Sequence, residues 1–474
     1  MSGRLLPFLI LIGAGIVLFG PSLRVPYTYD DYPHFVYNDR IRHPHSAADI
    51  FRNGLQETRP VYNLSLALQA RLFGTDPVVA HGINVALHIL AAILLFTFLG
   101  HLGLGPPPRL LASLLFLVHP ITVETVSYFN SRSGLLAFCF SMTALLLVFR
   151  TRPSLFAAGL LSLALAMGSK EDAIGTVGLI FLFQWWRHTT LSLTRNLAIA
   201  STILVLPVIY LLFRSPHIAS VGPTVEAWHS YFLRQGGMIP LHLSLFLFPW
   251  PLTFDRDLPA WLLSPTAIAS GWIVLGVLLG LAFRFRRSPA TLGFLWGVVA
   301  LFPTHSFIAL RDQQSTRLLY PMLPGLSLCA AVWLGSLLES SRRTRAILSI
   351  LVLLVFAWRT KEEINLWRNP VELWRKNTEA APTKWRSWLN LGIEYGESGR
   401  WTQAQESFER AGRLEPIRPE ISYNLGVVWA ERTDGQRNLA LAHRNLEDAL
   451  RFDPGHARAR WLLDRLEKSK KVLH

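Results

Sequence analysis

A bundle of membrane-crossing helices followed by an all-α repeat domain is the architecture predicted by three features of this 474-residue chain. Apolar runs near the length of a bilayer crossing recur from residue 5 to residue 358. Hydrophobic residues make up 51% of the whole, and mean hydropathy is +0.31. Beyond about residue 360 the chain becomes charged and amphipathic with a helical period.

The first run, 5–20, follows Arg4 and has the outline of a signal peptide. Leu18, however, stands where cleavage would want a small residue, so a retained anchor with a cytoplasmic N-terminus is expected. A large external loop, 21–76, comes next. Further crossings are predicted at 77–100, 110–118, 135–149, 154–167, 173–186, 197–213, 266–283, 291–302, 318–338 and 347–358, eleven in total with the first. Segment 229–249 is apolar enough to cross. If it did, Arg284, Arg286 and Arg287 would face out, so it reads as re-entrant or interfacial.

Net charge is +15, and its distribution points to orientation within a membrane. Arg4, Arg109, Arg150, Arg152, Arg187, Arg195, the 284–287 cluster and Arg342, Arg343 and Arg345 all fall on one side of the predicted bundle, which the positive-inside rule makes cytoplasmic. Before Arg342, Glu339 is the single acid on that side. An arginine-rich tail, zinc spacing and an aromatic RNA-binding motif are all missing, which excludes a nucleic-acid binder. Cys139 and Cys329 lie inside apolar runs and read as small core residues.

An odd number of crossings places residues 361–474 outside, after a membrane domain of 1–360. In the tail, Trp388, Leu391, Gly392, Tyr395, Ala404, Phe408, Ala411 and Pro416 match the 34-residue tetratricopeptide signature. A second repeat carries Leu425, Gly426, Trp429, Ala442, Leu446, Ala449 and Pro454, with four extra residues around 432–437. The predicted units are a partial repeat 370–382, repeats 385–418 and 419–456, and a closing helix 457–468, together an α-solenoid. Such stacks present a concave groove for peptides or act as a rigid cap, and both readings stay open.

The chemistry centres on Asp30 and Asp31, adjacent carboxylates just past the first run, where burying charge is costly and so usually has a reason. The competing reading is a solvated helix end. Arg59 and Pro60 close the same loop. His81, Asn84 and His88 form one polar stripe on an otherwise apolar helix, facing either a cavity or structural hydrogen-bond partners. His119, Pro120, Glu124, Ser127 and Arg132 follow the short third run. Lys170, beside Glu171 and Asp172, is the only lysine before Lys361, and is either an interfacial anchor or a partner for carboxylate or phosphate. Asp255, Arg256, Asp257, Arg311, Asp312, Arg317 and Tyr320 complete the set. Arginine forks match phosphate oxygens. His43 and His45 alone are too few for a zinc site.

These residues resemble the transmembrane and tetratricopeptide-repeat-containing O-mannosyltransferases and their bacterial relatives, which have the C-type membrane glycosyltransferase fold. The resemblance spans nearly the whole chain. It rests on Asp30 and Asp31 with Asn38 and Asp39; Arg59, Pro60, Asn63, Leu64 and Ser65; Gly74; His81 through Val85 with His88; His119, Pro120, Ile121 and Glu124; Ser169, Lys170 and Glu171; and Arg317, Leu319 and Tyr320. Two acids usual in the family are missing: the stretch from Ser131 to Leu136 has none, and Thr316 stands where another is common.

The resemblance implies a polyprenyl-phosphate sugar donor, mannose or another hexose, entering from the outer leaflet. Its phosphate would be held by Arg59, Arg132 or Arg317 and by Lys170, and the donor site completed by His81, Asn84, His88, His119, Glu124, Glu171 and Tyr320. Asp30 would act as general base on a hydroxyl of an exported protein in one inverting displacement. Asp31 would orient it or bind sugar, and which of the two is the base stays open. No cofactor is indicated, and because relatives differ in metal dependence a divalent metal stays open. A lipid or glycan acceptor is a second reading, and a non-enzymatic scaffold or transporter a third. The arginine-heavy composition points to a bacterium and hence its inner membrane.

Overall fold

The computed structural model describes residues 2–46, 49–50, 59–212, 228–306, 315–336 and 341–472. Loop residues 51–58, Arg311, Asp312, Glu339 and the expected span ends at 213 and 338 lie outside the described residues. Among the described residues every regular element is helical. Numbering the longer helices in chain order gives α1 Ser2–Phe19, α2 Pro60–Phe73, α3 Pro77–His101, α4 Pro106–Val118, α5 Arg132–Leu147, α6 Pro153–Ser169, α7 Gly175–Arg187, α8 Trp228–Leu247, α9 Pro265–Arg284, α10 Pro289–Leu301, α11 Leu323–Ser336 and α12 Arg342–Trp367. Then come α13 Pro370–Ala380, α14 Trp385–Glu397, α15 Trp401–Leu414, α16 Pro419–Glu431, α17 Leu439–Phe452 and α18 Ala457–Val472. Proline at the first helical position starts many of them, because its missing N–H is one the helix could not pair there.

Two compact units result, one of Met1–Leu252 with Pro259–Arg368 and one of Thr253–Leu258 with Asn369–His474. In the first, the rings of Phe98, Phe183 and Trp296 meet edge to face at 4.8 to 5.8 Å and tie α3, α7 and α10 together. Among the described residues four helices are long and apolar enough to cross a bilayer: Leu5–Arg24, Pro77–His101, Pro265–Arg284 and Thr316–Ser336. These mark an integral membrane protein. Several expected crossings are shorter helices, including Pro106–Val118, Pro153–Ser169 and Pro289–Leu301.

The shortness of α4 has a visible cause. Pro120 follows it, and its last carbonyls find partners on other helices: Leu117 O accepts from His88 Nε2 at 3.0 Å and Val118 O from Thr360 Oγ1 at 2.7 Å. A helix can end in an apolar surrounding only when its orphan carbonyls are satisfied in this way. Segment 229–249, expected to be re-entrant or interfacial, is helical without a break as far as Leu247, as α8. It packs on α9 through Gly236, Gly237 and Gly271, where a Cβ on Gly271 would collide with the Gly236 carbonyl.

In the second unit, helices pack in consecutive pairs. A Cβ on Gly392 would run into the Phe408 ring, and one on Gly426 into Leu446. The two glycines stand 34 residues apart and their large partners 38, so the same contact recurs with the four extra residues absorbed between helices. Arg432 anchors that insertion, pairing with Asp434 at 2.6 Å. Segment Thr253–Leu258 belongs to this unit. Asp255 N donates to Asn377 Oδ1 at 2.9 Å, Arg386 reaches the Asp255 carboxylate at 3.2 Å, and Asp257 accepts from Thr383 N and Oγ1. Asp255, Arg256 and Asp257, expected beside the arginines of a membrane cavity, are held among the C-terminal helices instead.

Candidate functional site

Asp30 and Asp31 are neighbours in sequence but diverge in space. The chain turns at Thr28 to Asp31: Asp31 N donates to Thr28 O at 3.1 Å and Thr28 N to Asp31 Oδ2 at 3.0 Å. Tyr29 adopts a left-handed φ of 53°, which disfavours a residue with a Cβ by about 1–2 kcal/mol. Conformations of this kind persist where surrounding contacts over-determine them, often at functional positions. Asp31 is 0% exposed, and its other oxygen accepts from Asn130 N at 3.1 Å. Burial pushes its pKa well above the usual carboxylate range, against the pull of those two backbone N–H groups.

Asp30 lines a cavity of about 230 Å³ in the first unit, together with Arg59, Lys170, Glu171, Asp172 and Arg317. Each of its cations is aimed by a carboxylate. Arg59 donates from Nε and Nη2 to the two oxygens of Glu171 at 3.0 and 2.7 Å, a bidentate fork that ties the start of α2 to the chain after α6. Burial raises the pKa of Glu171, but the charge and hydrogen bonds of Arg59 outweigh it and hold the carboxyl at about 2. Lys170 Nζ sits 2.5 Å from Asp172. Arg317 Nη1 lies 2.9 Å from Glu124 Oε1.

Glu124 lies behind Arg317. It is 4% exposed and accepts from Arg317 N, Ser315 Oγ and Thr316 Oγ1 as well. These bonds fix the start of the 3₁₀ segment Thr316–Met322, from which Arg317 reaches the cavity. Thr316, at a position where an acid is common in the resembled family, supplies a donor to an acid from elsewhere in the chain.

The expected stripe lies away from the cavity wall. Among the described residues that line the cavity, His81, Asn84, His88, His119, Arg132 and Tyr320 do not appear. His81, Asn84 and His88 are fully buried. Arg132 Nε donates to Asn84 Oδ1 at 3.0 Å and its Nη2 to Ala80 O at 2.9 Å. His88, donating from Nε2 to Leu117 O, accepts at Nδ1 from the Tyr320 hydroxyl at 2.8 Å. His119 Nε2 donates to Phe246 O at 3.0 Å. Asn84, His88, His119, Arg132 and Tyr320 are thus bound by the protein itself, whereas both ring nitrogens of His81 and Nη1 of Arg132 are buried with no hydrogen-bond partner among the described residues.

Tyr320 instead borders an apolar slot lined by Phe138, Met142, Leu145, Leu179 and Trp296. Gly134, Lys170, Asp172 and Arg317 line both slot and cavity, so polar and apolar compartments meet at a lysine and an arginine.

Sequence reasoning missed Asn130, Tyr128, Ser133 and Thr304 on the cavity wall, and gave Asp172 no site role. Asp172 was within reach, since it belongs to the same charged run as Lys170. Asn130 had no signal. It donates its backbone N–H to Asp31, accepts the Tyr62 hydroxyl, and donates from Nδ2 to His34 Nδ1 at 2.9 Å. Burial, then the nearby charge of Arg59, lowers the His34 pKa to about 4, against that hydrogen bond. Among the described residues no group of three or more His, Cys, Asp or Glu is spaced to hold a metal ion.

Fold and site thus define an all-α integral membrane protein whose polar cavity is ringed by paired charges and opens on an apolar slot. Over most of its length the chain is similar to protein O-mannosyl-transferases. It is 23% identical to one of Caenorhabditis elegans over 437 residues, covering 86% of this chain and 62% of that protein. To two of Homo sapiens it is 23% identical over 523 residues and 24% over 493, covering 90% and 85% of this chain and 57% and 66% of theirs. The chain spans about three fifths of the length of the first of these relatives. No family model matches it.

Proposed function

We propose that this protein is a membrane glycosyltransferase that moves mannose or another hexose from a polyprenyl-phosphate donor to a hydroxyl of an exported protein, with inversion. The carrying observation is that Asp30 shares one cavity with Arg59, Lys170 and Arg317, and that this cavity meets an apolar slot at Lys170 and Arg317. A donor with a charged phosphate between a sugar and a lipid has the same order of chemistry: sugar in the polar compartment, phosphate at the junction, isoprenoid in the slot. That the similar proteins are protein O-mannosyl-transferases favours mannose as the sugar and a protein as the acceptor.

In the proposed step the acceptor oxygen attacks the anomeric carbon from the face opposite the phosphate. The carbon–oxygen bond to phosphate breaks, and polyprenyl phosphate leaves with the electron pair. Asp30 takes the hydroxyl proton, a contribution of about 10²- to 10⁴-fold. Asp31, fully buried, with both oxygens accepting from backbone N–H groups and not on the cavity wall, is better suited to holding the turn than to reaching an acceptor hydroxyl. Lys170 and Arg317 oppose the charge gathering on the leaving phosphate, and their carboxylate partners pre-set them so that little reorganisation is needed during reaction. Glu124 acts through Arg317 as a positioning residue.

The wider reading includes a cytoplasmic N-terminus, eleven crossings, a C-type glycosyltransferase fold, a bacterial inner membrane, and C-terminal tetratricopeptide repeats outside it, offering a groove for the acceptor. The recurring Gly392–Phe408 and Gly426–Leu446 contacts support the repeats. Incubating purified protein with polyprenyl-phosphate mannose and a Ser/Thr-rich acceptor peptide tests the activity. Hexose-bearing peptide that disappears with Asp30→Asn is the expected result. Donor hydrolysis or transfer to lipid alone would move the acceptor to the lipid or glycan class, and failure to bind the donor would leave a non-enzymatic scaffold or transporter.

A further inference from the structure

We propose a second, separate binding site at the other end of α3: a groove between α1, α3 and α4 that takes the headgroup phosphate of an anionic phospholipid, with Arg109 as its anchoring cation. The groove has a volume of about 580 Å³ and is walled by Phe8, Phe96, Thr97, Gly100 and Arg109. It is distinct from the charged cavity, since the two have no lining residue in common.

Arg109 carries the argument. Its guanidinium lies 4.2 Å over the Phe96 ring. Its Nε is buried with no hydrogen-bond partner, and among the described residues no carboxylate pairs with it. Gly100 makes room for this arrangement, because a Cβ there would run into the guanidinium. Beside it, Arg150 Nη2 donates to His101 Nε2 at 2.5 Å, and Arg195 binds the backbone oxygens of Arg150 and Thr151. The sequence offers these cations no counter-charge nearby: residues 1–29, 77–123 and 125–170 contain no Asp or Glu. A partly desolvated guanidinium without an internal anion selects an external one.

The surroundings choose a lipid as its source. Two aromatic walls and the prolines Pro7 and Pro106 suit hydrocarbon better than a hydrated free ion, and the adjoining face of α1 exposes Leu5 and Leu9 at 62% and 63%. Acyl chains lying along that face would hold the phosphate against Arg109. Basic pockets between membrane helices recognise acidic headgroups in this manner.

Native mass spectrometry of the full chain in detergent, titrated with phosphatidylglycerol, phosphatidylcholine or inorganic phosphate, tests the proposal without reference to sugar transfer. Wild type is expected to retain phosphatidylglycerol at least about tenfold more tightly than phosphatidylcholine. Arg109→Gln should lose that preference, as removal of one charge-assisted contact implies. Thr97→Trp, which fills the groove and leaves the arginine in place, should weaken phosphatidylglycerol comparably and serves if Arg109→Gln fails to fold. Equal retention of the two lipids, or undiminished phosphatidylglycerol binding in the variant that folds, would overturn the site. Displacement by millimolar inorganic phosphate would overturn the lipid as its occupant.

Discussion

Glu124 and Arg317 are 193 residues apart in sequence, yet the carboxylate accepts from both the guanidinium and the backbone N–H of the arginine, at 2.9 and 3.2 Å. The acid is almost wholly buried while the arginine reaches the cavity, so one holds and the other is presented. Replacing Glu124 with Gln keeps the shape but removes the charge. Because it breaks a largely buried pair from one side, it should destabilise the membrane unit by about 3–5 kcal/mol, read as a lower melting midpoint in detergent, with sugar transfer reduced in protein that stays folded.

The divergent carboxylates make contrasting predictions. Asp30→Asn should lower transfer by about 10²-fold or more with melting unchanged. Asp31→Asn should leave one of two backbone N–H groups without its acceptor and weaken stability by about 1–3 kcal/mol, with transfer retained by the folded fraction. If the two variants exchange these phenotypes, Asp31 is the base.

The Arg59 and Glu171 pair sets a pH expectation. The ordinary carboxyl pKa of Glu is about 4.3, and in the folded protein Glu171 titrates at about 2. A depressed carboxyl adds stability that is fully present above the unfolded value and is lost as pH falls toward the folded one. Melting of the wild type minus that of Glu171→Gln should therefore be flat from pH 8 to about 5 and shrink below it. His34, at about 4, stays neutral through the same flat range and should place no inflection in a transfer profile above pH 5.

Asp255 predicts behaviour in the second unit. Asp255→Ala removes the acceptor for Arg386, whose own charge is only partly exposed, and should lower the melting of the C-terminal helices by about 1–3 kcal/mol. Limited proteolysis should then cut within 253–258 sooner than in wild type.

Much of this was legible before any coordinates because it is written in local pattern. Apolar length marked the membrane helices, and Gly392 with Phe408 followed a fixed period. Asp30, Arg59, Lys170, Glu171 and Arg317 stood out as charges beside apolar runs, and these line the cavity. What sequence could not separate was a polar group facing a ligand from one facing its own protein. His88 looks the same in a string of letters whether it contacts a sugar or caps the end of α4, and only the place of Leu117 O decides. Asn130 was invisible because it acts mainly through a backbone N–H and an amide, neither of which departs from ordinary composition. The divergence of Asp30 from Asp31 depends on one left-handed tyrosine, and residue type gives no hint of it.

The six residues Thr253–Leu258 have a genetic consequence. A gene fusion joined after Arg368 would exchange the C-terminal helices yet leave behind the strip that pairs with Asn377, Thr383 and Arg386. The tail is therefore not an interchangeable cassette: any successful swap between paralogues has to carry two separated pieces of coding sequence, and these should drift together.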